Sequence, residues 1–429
     1  MATKREHFGS RAAVIMAMAG SAIGLGNIWR FPYMVGEYGG AAFILIYILC
    51  SFFLSFPIFL AEALVGRRTH ANAIGAMNKL APRSFWTILG YLSVITPTII
   101  VSYYSIVGGW SIEYFLKSFS LNFGEFRPSG WTPLIFNTVF LALSSIIVAF
   151  GIKGGIEKFN KISIPLLFVL IVLIMIYSVN MPGADKGIEY IVKPDFSKIT
   201  GRTFAFALGQ SFYAMSLGMG IVITYSSYVH KDENLVASGV GTVLAALMFS
   251  VLAGFAIMPA VFSAGIAPSS GPGLVYQTLP HVFTGMSASS PWIASCVAAL
   301  FFFSVIVAAM TSSISLIEVG VAYLVEERHM KRSMACLLVF VVTWVLGLIS
   351  VFSIEAFGKV DAFSSNFLLT AGVLLVVLFV GWKMKKEDVR EEITNRGVIN
   401  NKVFGVFYFL IRYVAPITVL TIFITNLVL

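Results

Sequence analysis

The residues with the most chemical potential in this 429-residue chain are few and stand in apolar surroundings. Two glycine clusters interrupt long hydrophobic runs: Gly20, Gly24 and Gly26 in GSAIGLGN, and Gly218 and Gly220 in SLGMG. Glycine costs roughly 1 kcal/mol in a helix interior, so such clusters predict local unwinding, which bares carbonyls for a cation and N–H groups for an anion. Close helix packing through small residues fits the same spacing. A phosphate loop is a rival reading of GSAIGLG, but no strand precedes it. Arg30, Glu62 and Glu318 are ionisable residues within or beside apolar runs, where a charge is expensive and marks function or a buried partner. The two acids read first as structural hydrogen-bond partners and second as proton sites. The five histidines, His7, His70, His230, His281 and His329, fall in tails and loops. Cys50, Cys296 and Cys336 show neither a paired nor a metal-ligating spacing. No enzyme, disulfide framework or zinc site is expected.

The elements that must hold these residues follow from composition. Apolar and aromatic residues make up 58% of the chain and charged residues 11%, with a mean hydropathy of +0.89. Soluble domains carry roughly 25% charge, so the composition defines an all-α integral membrane protein with material for roughly ten to twelve spans. Spans are expected near 11–36, 41–66, 87–118, 132–150, 161–179, 203–229, 235–264, 291–325, 333–354, 359–382 and 403–427. Eleven spans put the termini on opposite sides. With Lys4, Arg5 and Arg11 inside, about 20 Lys and Arg residues fall on the cytoplasmic side and about 7 outside, as the positive-inside rule requires. The net charge of +9 is therefore a topology signal addressed to the lipid bilayer, not to nucleic acid. The basic start MATKREHFGSR lacks a cleavage pattern and is not read as a signal peptide. Two long loops, near 180–202 and 265–290, lie outside, and the second is nearly uncharged and expected to pack as a lid. The glycine clusters occupy the first and sixth spans, corresponding places in two five-helix halves, which points to a solute binding site at a repeat interface. A channel would require a repeated pore loop or a ring of like charges.

Several motifs together resemble the neurotransmitter:sodium symporter family: GSAIGLGNIWRFPY with EYGGAAF, SYY in the third span, KGGIEKFNKI before the fifth, QSFYAMSLGMG and YSSYVHKDE around the sixth, and AAMTSSIS in the eighth. The likeness runs from KREHF to IRYVAP, essentially the whole chain, and its eleven spans are like those of the shorter bacterial members. The resemblance implies the leucine-transporter fold as a single transporter domain over 1–429. Two inverted five-helix repeats (about 11–179 and 203–382) precede an additional helix (about 403–427), and helices 1 and 6 are unwound. It implies sodium-coupled symport of a neutral, apolar or aromatic amino acid by alternating access, with a proton-coupled or sodium-independent amino acid or amine carrier of the same fold as the alternative. Localisation is the cell membrane, with the N-terminus cytoplasmic and the C-terminus extracellular. No obligate protein partner is implied.

Residue by residue, the resemblance implies a sodium site at the carbonyls of Gly20, Ile23 and Ala308 and the hydroxyls of Thr311 and Ser312. Hydroxyls at such positions can instead bond back to the preceding helical turn. A second family sodium site is degraded: Ala22 and Asn27 are present, but Ala214 and Ala246 replace residues with side-chain oxygens. Ser250, with Tyr47 and Gln210, resembles the chloride site of animal members, although Ala214 removes a hydroxyl there as well. Losing the cation removes the need for a neighbouring negative charge, so one sodium and no chloride requirement are expected. The substrate carboxylate is assigned to the N–H groups of Leu25 and Gly26 and the Tyr104 hydroxyl. Its amino group falls to Ala22, Tyr213, Ala214 and Ser216, and its side chain to Ile100, Tyr213, Met219 and Leu316 with Ser313 nearby. Gly24 stands where monoamine carriers have aspartate, which favours a zwitterionic substrate. Met219, in place of an aromatic, suits apolar or aromatic side chains of several shapes. Arg30 and Asp361 resemble the outer gate above Tyr104 and Tyr213. Arg5 and Glu326 resemble the inner gate, supported by Phe8, Ser227 and Tyr228. Glu62 matches a family acid, whereas Glu318 stands where relatives vary.

Overall fold

The computed structural model describes residues 6–265, 274–287 and 290–428. Nine of its helices are long and apolar enough to cross a membrane: Ala41–Thr69, Thr87–Ser118, Trp131–Ala149, Ile152–Val179, Leu235–Ser263, Pro291–Glu327, Arg332–Phe352, Ile354–Lys383 and Asn401–Thr425. A tenth crossing is the bent pair Arg11–Ala22 and Gly26–Glu37, whose halves meet at 51°. The eleventh position holds the two short helices Gly201–Ala214 and Ile221–Ser226. Numbered in chain order, spans 1 and 6 are the interrupted ones, five positions apart.

Local sequence accounts for the boundaries. Ser10 and Asn234 accept backbone N–H bonds at the starts of spans 1 and 7, and Thr200 with Thr203 forms a capping box at span 6. Span 5 starts at Ile152 rather than near 161. The turn at Gly151, with φ of 87°, delivers Ile152 to the Glu6 carboxylate, which accepts its N–H at 2.6 Å and that of Lys153 at 3.3 Å. A side chain 146 residues away thus satisfies the first donors of a helix whose start carries no cap of its own. Span 10 likewise starts earlier than expected, at Ile354, where Ser353 caps it.

The lid expected over 265–290 packs where it is described. Helix Thr278–Met286 buries Leu279, Val282 and Phe283, and Tyr276 before it bonds to Ser111 and the Val107 carbonyl.

Both readings of the glycine clusters hold in span 6. Gly218 and Gly220 take left-handed φ values of 75° and 70°. A Cβ on Gly218 would stand 2.2 Å from the Leu369 carbonyl of span 10, and one on Gly220 would stand 2.5 Å from the Ser93 carbonyl of span 3. Unwinding and close approach coincide. Gly218→Ala is therefore expected to lower unfolding stability by about 1–3 kcal/mol. Gly358→Ala, on a helix with nothing within 4 Å, should leave it unchanged or slightly raised. Thermal unfolding of the two variants in detergent checks the contrast.

Candidate functional site

A helix broken in the hydrocarbon region frees N–H and C=O groups that must find partners inside the protein. Span 1 breaks at Ile23, which is extended (φ −94°, ψ 96°). Span 6 breaks after Ala214 and passes through Ser216, whose left-handed φ of 54° aims its hydroxyl across to span 1. Ser216 Oγ donates to the Ser21 carbonyl at 2.8 Å, and Ser312 Oγ reaches the same carbonyl at 3.2 Å. On the other side of the break, Leu25 N–H donates to the Tyr104 hydroxyl at 3.0 Å. Gln210 Nε2 donates to the Gly26 carbonyl at 2.7 Å, and Gly218 N–H donates to Glu62 Oε1 at 2.7 Å.

Between the two breaks lies a cavity of about 20 Å³, room for about one ordered water. Of the substrate residues named from the sequence, Ala22, Gly26, Ile100, Tyr104, Tyr213, Ser216, Met219 and Leu316 line it. Leu25 faces it through its N–H, while Ala214 and Ser313 are buried outside the lining. Ser21, Asn27, Ile221 and Ser312 line it as well and had not been assigned to the substrate. Gly24 also lines it, and a Cβ there would stand 2.1 Å from Ser312 Oγ and 2.9 Å from the Tyr104 hydroxyl, so no larger residue fits.

Of the oxygens named for sodium, three meet at the span 1 break: Thr311 Oγ1 lies 3.0 Å from the Ile23 carbonyl and 2.9 Å from the Ala308 carbonyl, where a hard cation would replace the hydroxyl proton as their common partner, while Ser312 Oγ is turned to the Ser21 carbonyl. The donor set fits a monovalent cation. Gly20, the fifth named ligand, packs directly against the Asn160 amide of span 5.

The second set is arranged differently. Asn27 Oδ1 accepts Gly24 N–H at 3.2 Å, and Asn27 Nδ2 donates to Ser250 Oγ at 2.8 Å and to the Ala246 carbonyl at 3.4 Å. Ala214 and Ala246 are buried and contribute no side-chain oxygen.

The gates are partly described. Arg30 does not pair with Asp361 within 4 Å among the described residues; its guanidinium lies over the Tyr213 ring at 4.9 Å with Tyr33 beside it. Asp361 instead accepts from Ser365 Oγ at 3.2 Å. The expected direct outer pair is thus not made among the described residues, and the guanidinium faces an aromatic ring. Arg5 of the inner gate lies outside the described residues. Its expected partner Glu326 accepts Asn72 N–H and Nδ2 at 2.9 and 3.0 Å. Phe8 N–H donates to the Tyr228 carbonyl at 3.1 Å, and their rings meet edge to face. Ser227 is buried beside them.

Glu318 was named from the sequence without its partner. Tyr228 donates to it at 2.8 Å and Arg332 of span 9 binds both its oxygens. This ties the far half of span 6 to spans 8 and 9.

Two helices interrupted at corresponding positions around a central cavity, with a cation-fitting cluster beside it, define a secondary transporter. Comparison with known proteins gives the particular family. A model of the sodium:neurotransmitter symporter family matches residues 5–126 and 132–429. A sodium-dependent transporter of Haemophilus influenzae is 35% identical, with 99% of this chain and 98% of that protein covered. One of Bacillus subtilis is 34% identical, with 98% and 97% covered. The crystal structure of MhsT in complex with L-phenylalanine superposes with a TM-score of 0.88 at 34% identity, covering 99% of this chain and all of that one. The chain belongs to the sodium:neurotransmitter symporter family, a family of sodium-dependent transporters rather than of enzymes. Its fold is the leucine-transporter fold of two inverted repeats and an added helix.

The Glu318–Arg332 pair offers a test that does not need the substrate. Glu318 is fully buried and the Arg332 side chain is 24% exposed. Removing the acid alone leaves a half-buried cation, so Glu318→Leu should destabilise by about 3 kcal/mol. The double variant Glu318→Leu with Arg332→Leu should recover at least half of that loss in the same thermal assay.

Proposed function

We propose that this protein imports a neutral, apolar or aromatic amino acid by alternating access, driven mainly through one sodium at Gly20, Ile23, Ala308, Thr311 and Ser312, with no chloride requirement. The observation that carries the stoichiometry is the closed network at Asn27. The amide of Asn27 is oriented by unambiguous backbone partners on both sides, Gly24 N–H at its oxygen and the Ala246 carbonyl at its nitrogen. Ser250 Oγ donates to the Ala246 carbonyl at 3.0 Å. It therefore accepts from both Asn27 and Tyr47, the latter at 3.2 Å. One hydrogen and two lone pairs fill a hydroxyl's capacity, so Ser250 has nothing left for a cation or an anion.

The zwitterion is supported by Gly24, where the crowding of Ser312 and Tyr104 leaves no space for an acid to balance a bare amine. The Leu25 N–H and Tyr104 hydroxyl form the carboxylate end, and Met219 and Ile100 the adaptable apolar end. MhsT, which binds L-phenylalanine, supplies the probe. On this reading the chain is one transporter domain in the cell membrane, N-terminus cytoplasmic and C-terminus outside, with repeats over about 11–179 and 203–382. Proton coupling is the second reading, favoured by Glu62 Oε2, which is buried without a partner among the described residues.

Purified protein in liposomes should take up L-phenylalanine with an inward sodium gradient, in chloride or gluconate alike, at one sodium per substrate by reversal-potential measurement. Two sodium ions per substrate or strict chloride dependence overturns the stoichiometry, and uptake driven by a proton gradient without sodium overturns the coupling ion. Tyr104→Phe, which strips Leu25 N–H of its acceptor, should weaken L-phenylalanine binding about tenfold or more.

A further inference from the structure

Asn160 lies on span 5, fully buried, and neither its Oδ1 nor its Nδ2 has a hydrogen-bond partner among the described residues. A buried carboxamide normally satisfies both ends, and leaving them unmade is costly, so the position needs a physical reason. Packing supplies its address. An added Cβ on Gly20 would stand 2.5 Å from Asn160 Oδ1 and 3.1 Å from Nδ2, so the amide rests directly on the backbone of a residue named as a sodium ligand. An amide held by no hydrogen bond is free to turn its oxygen toward a cation.

Depth and direction agree. Gly20 lies nine residues into span 1 and Asn160 eight residues into span 5, about 14 and 12 Å along their helices from the same face of the bundle. That face is the one where Glu6 caps span 5. One turn nearer to it, on the same side of span 5, is Glu157, 6% exposed. Its carboxylate is held by Gly9 N–H at 3.0 Å and by Lys161 at 2.6 Å. Along span 5, Asn160 thus sits against Gly20 with the Glu157 carboxylate one turn nearer that face.

We propose that Asn160 is the first oxygen that sodium meets on leaving its site toward the cytoplasmic face, a positioning residue that stands in for water while the ion is partly dehydrated. This rests on the sodium site proposed above. The amide does not complete the resting ligand shell; it lowers the barrier between the shell and the Glu157 carboxylate, so it sets a rate more than an affinity.

The test separates those quantities. Equilibrium sodium affinity is read from the midpoint of sodium-induced thermal stabilisation of the purified protein. Exchange is read as loss of radioactive sodium from liposomes holding the protein with saturating L-phenylalanine. Asn160→Leu, of similar volume, should slow sodium exchange about tenfold or more, the scale of one lost charge–dipole contact, with the midpoint moved less than threefold. Its sodium-free stability should not fall, since an unpaired buried amide has been removed. Asn160→Asp keeps the oxygen and should exchange faster than the leucine variant, with a lower sodium midpoint. Asn137→Leu removes another buried amide without partners, on span 4, and should change neither rate nor midpoint. Parental exchange in Asn160→Leu, or equal losses of rate and affinity, overturns the proposal; if the leucine variant does not fold, failure of Asn160→Asp to shift the midpoint overturns it. Thr311→Ala is measured alongside: if it leaves the sodium midpoint unchanged, the sodium site itself is misassigned.

Discussion

Backbone groups freed at mid-depth in a membrane have no water to turn to, and each costs several kcal/mol if left unpaired. The two breaks in spans 1 and 6 impose that debt on everything around them. Ser216 and Ser312 converge on the Ser21 carbonyl, Thr311 on those of Ile23 and Ala308, Gln210 on that of Gly26, and Glu62 and Tyr104 receive the N–H groups of Gly218 and Leu25. Apart from Glu62, the side chains that hold the breaks together are ones that the family resemblance assigns to ion or substrate. On the proposed reading, a cation at Thr311 would take over carbonyls that the hydroxyl otherwise satisfies, and a carboxylate at Leu25 would compete with Tyr104 for one N–H, so binding would exchange partners within one set of polar groups.

The same constraint explains how span 6 is anchored. Its break is pressed onto the Leu369 carbonyl of span 10 and the Ser93 carbonyl of span 3 by two glycines without side chains to keep the chains apart. Its far end is fixed by different means, through the Phe8 N–H on the Tyr228 carbonyl and through the Tyr228 hydroxyl on Glu318. Packing at one end is apolar and backbone-to-backbone; at the other it is a buried ion pair with a half-exposed arginine.

What the chain makes legible is what depends on local composition. The eleven spans follow from apolar length, and the two breaks from glycines that a continuous helix disfavours. What was not legible depends on residues far apart in sequence. The start of span 5 is set by Glu6, the partner of Glu318 is Arg332 across a loop, and Asn160 carries no local sign that its amide faces Gly20. Arg30 illustrates the same limit: the sequence offers a carboxylate at Asp361 and a ring at Tyr213, and three-dimensional proximity places the guanidinium over the ring. Burial without a partner is a property of the folded packing, so Asn160 could be found only there.

Around Ser250, the Ala246 carbonyl, the Asn27 amide and the Tyr47 hydroxyl form one neutral network. A second cation at mid-membrane needs side-chain oxygens for its shell and a negative charge nearby to offset the cost of burial. With Ala246 in place, the backbone carbonyl at that position is open to the Asn27 amide and to the Ser250 hydroxyl, and both take it. Tyr47 completes the set on Ser250, so every member is neutral and each hydrogen is spoken for. An acid at position 250 would be an uncompensated charge in this setting, and a cation would find the Asn27 oxygen already accepting from Gly24.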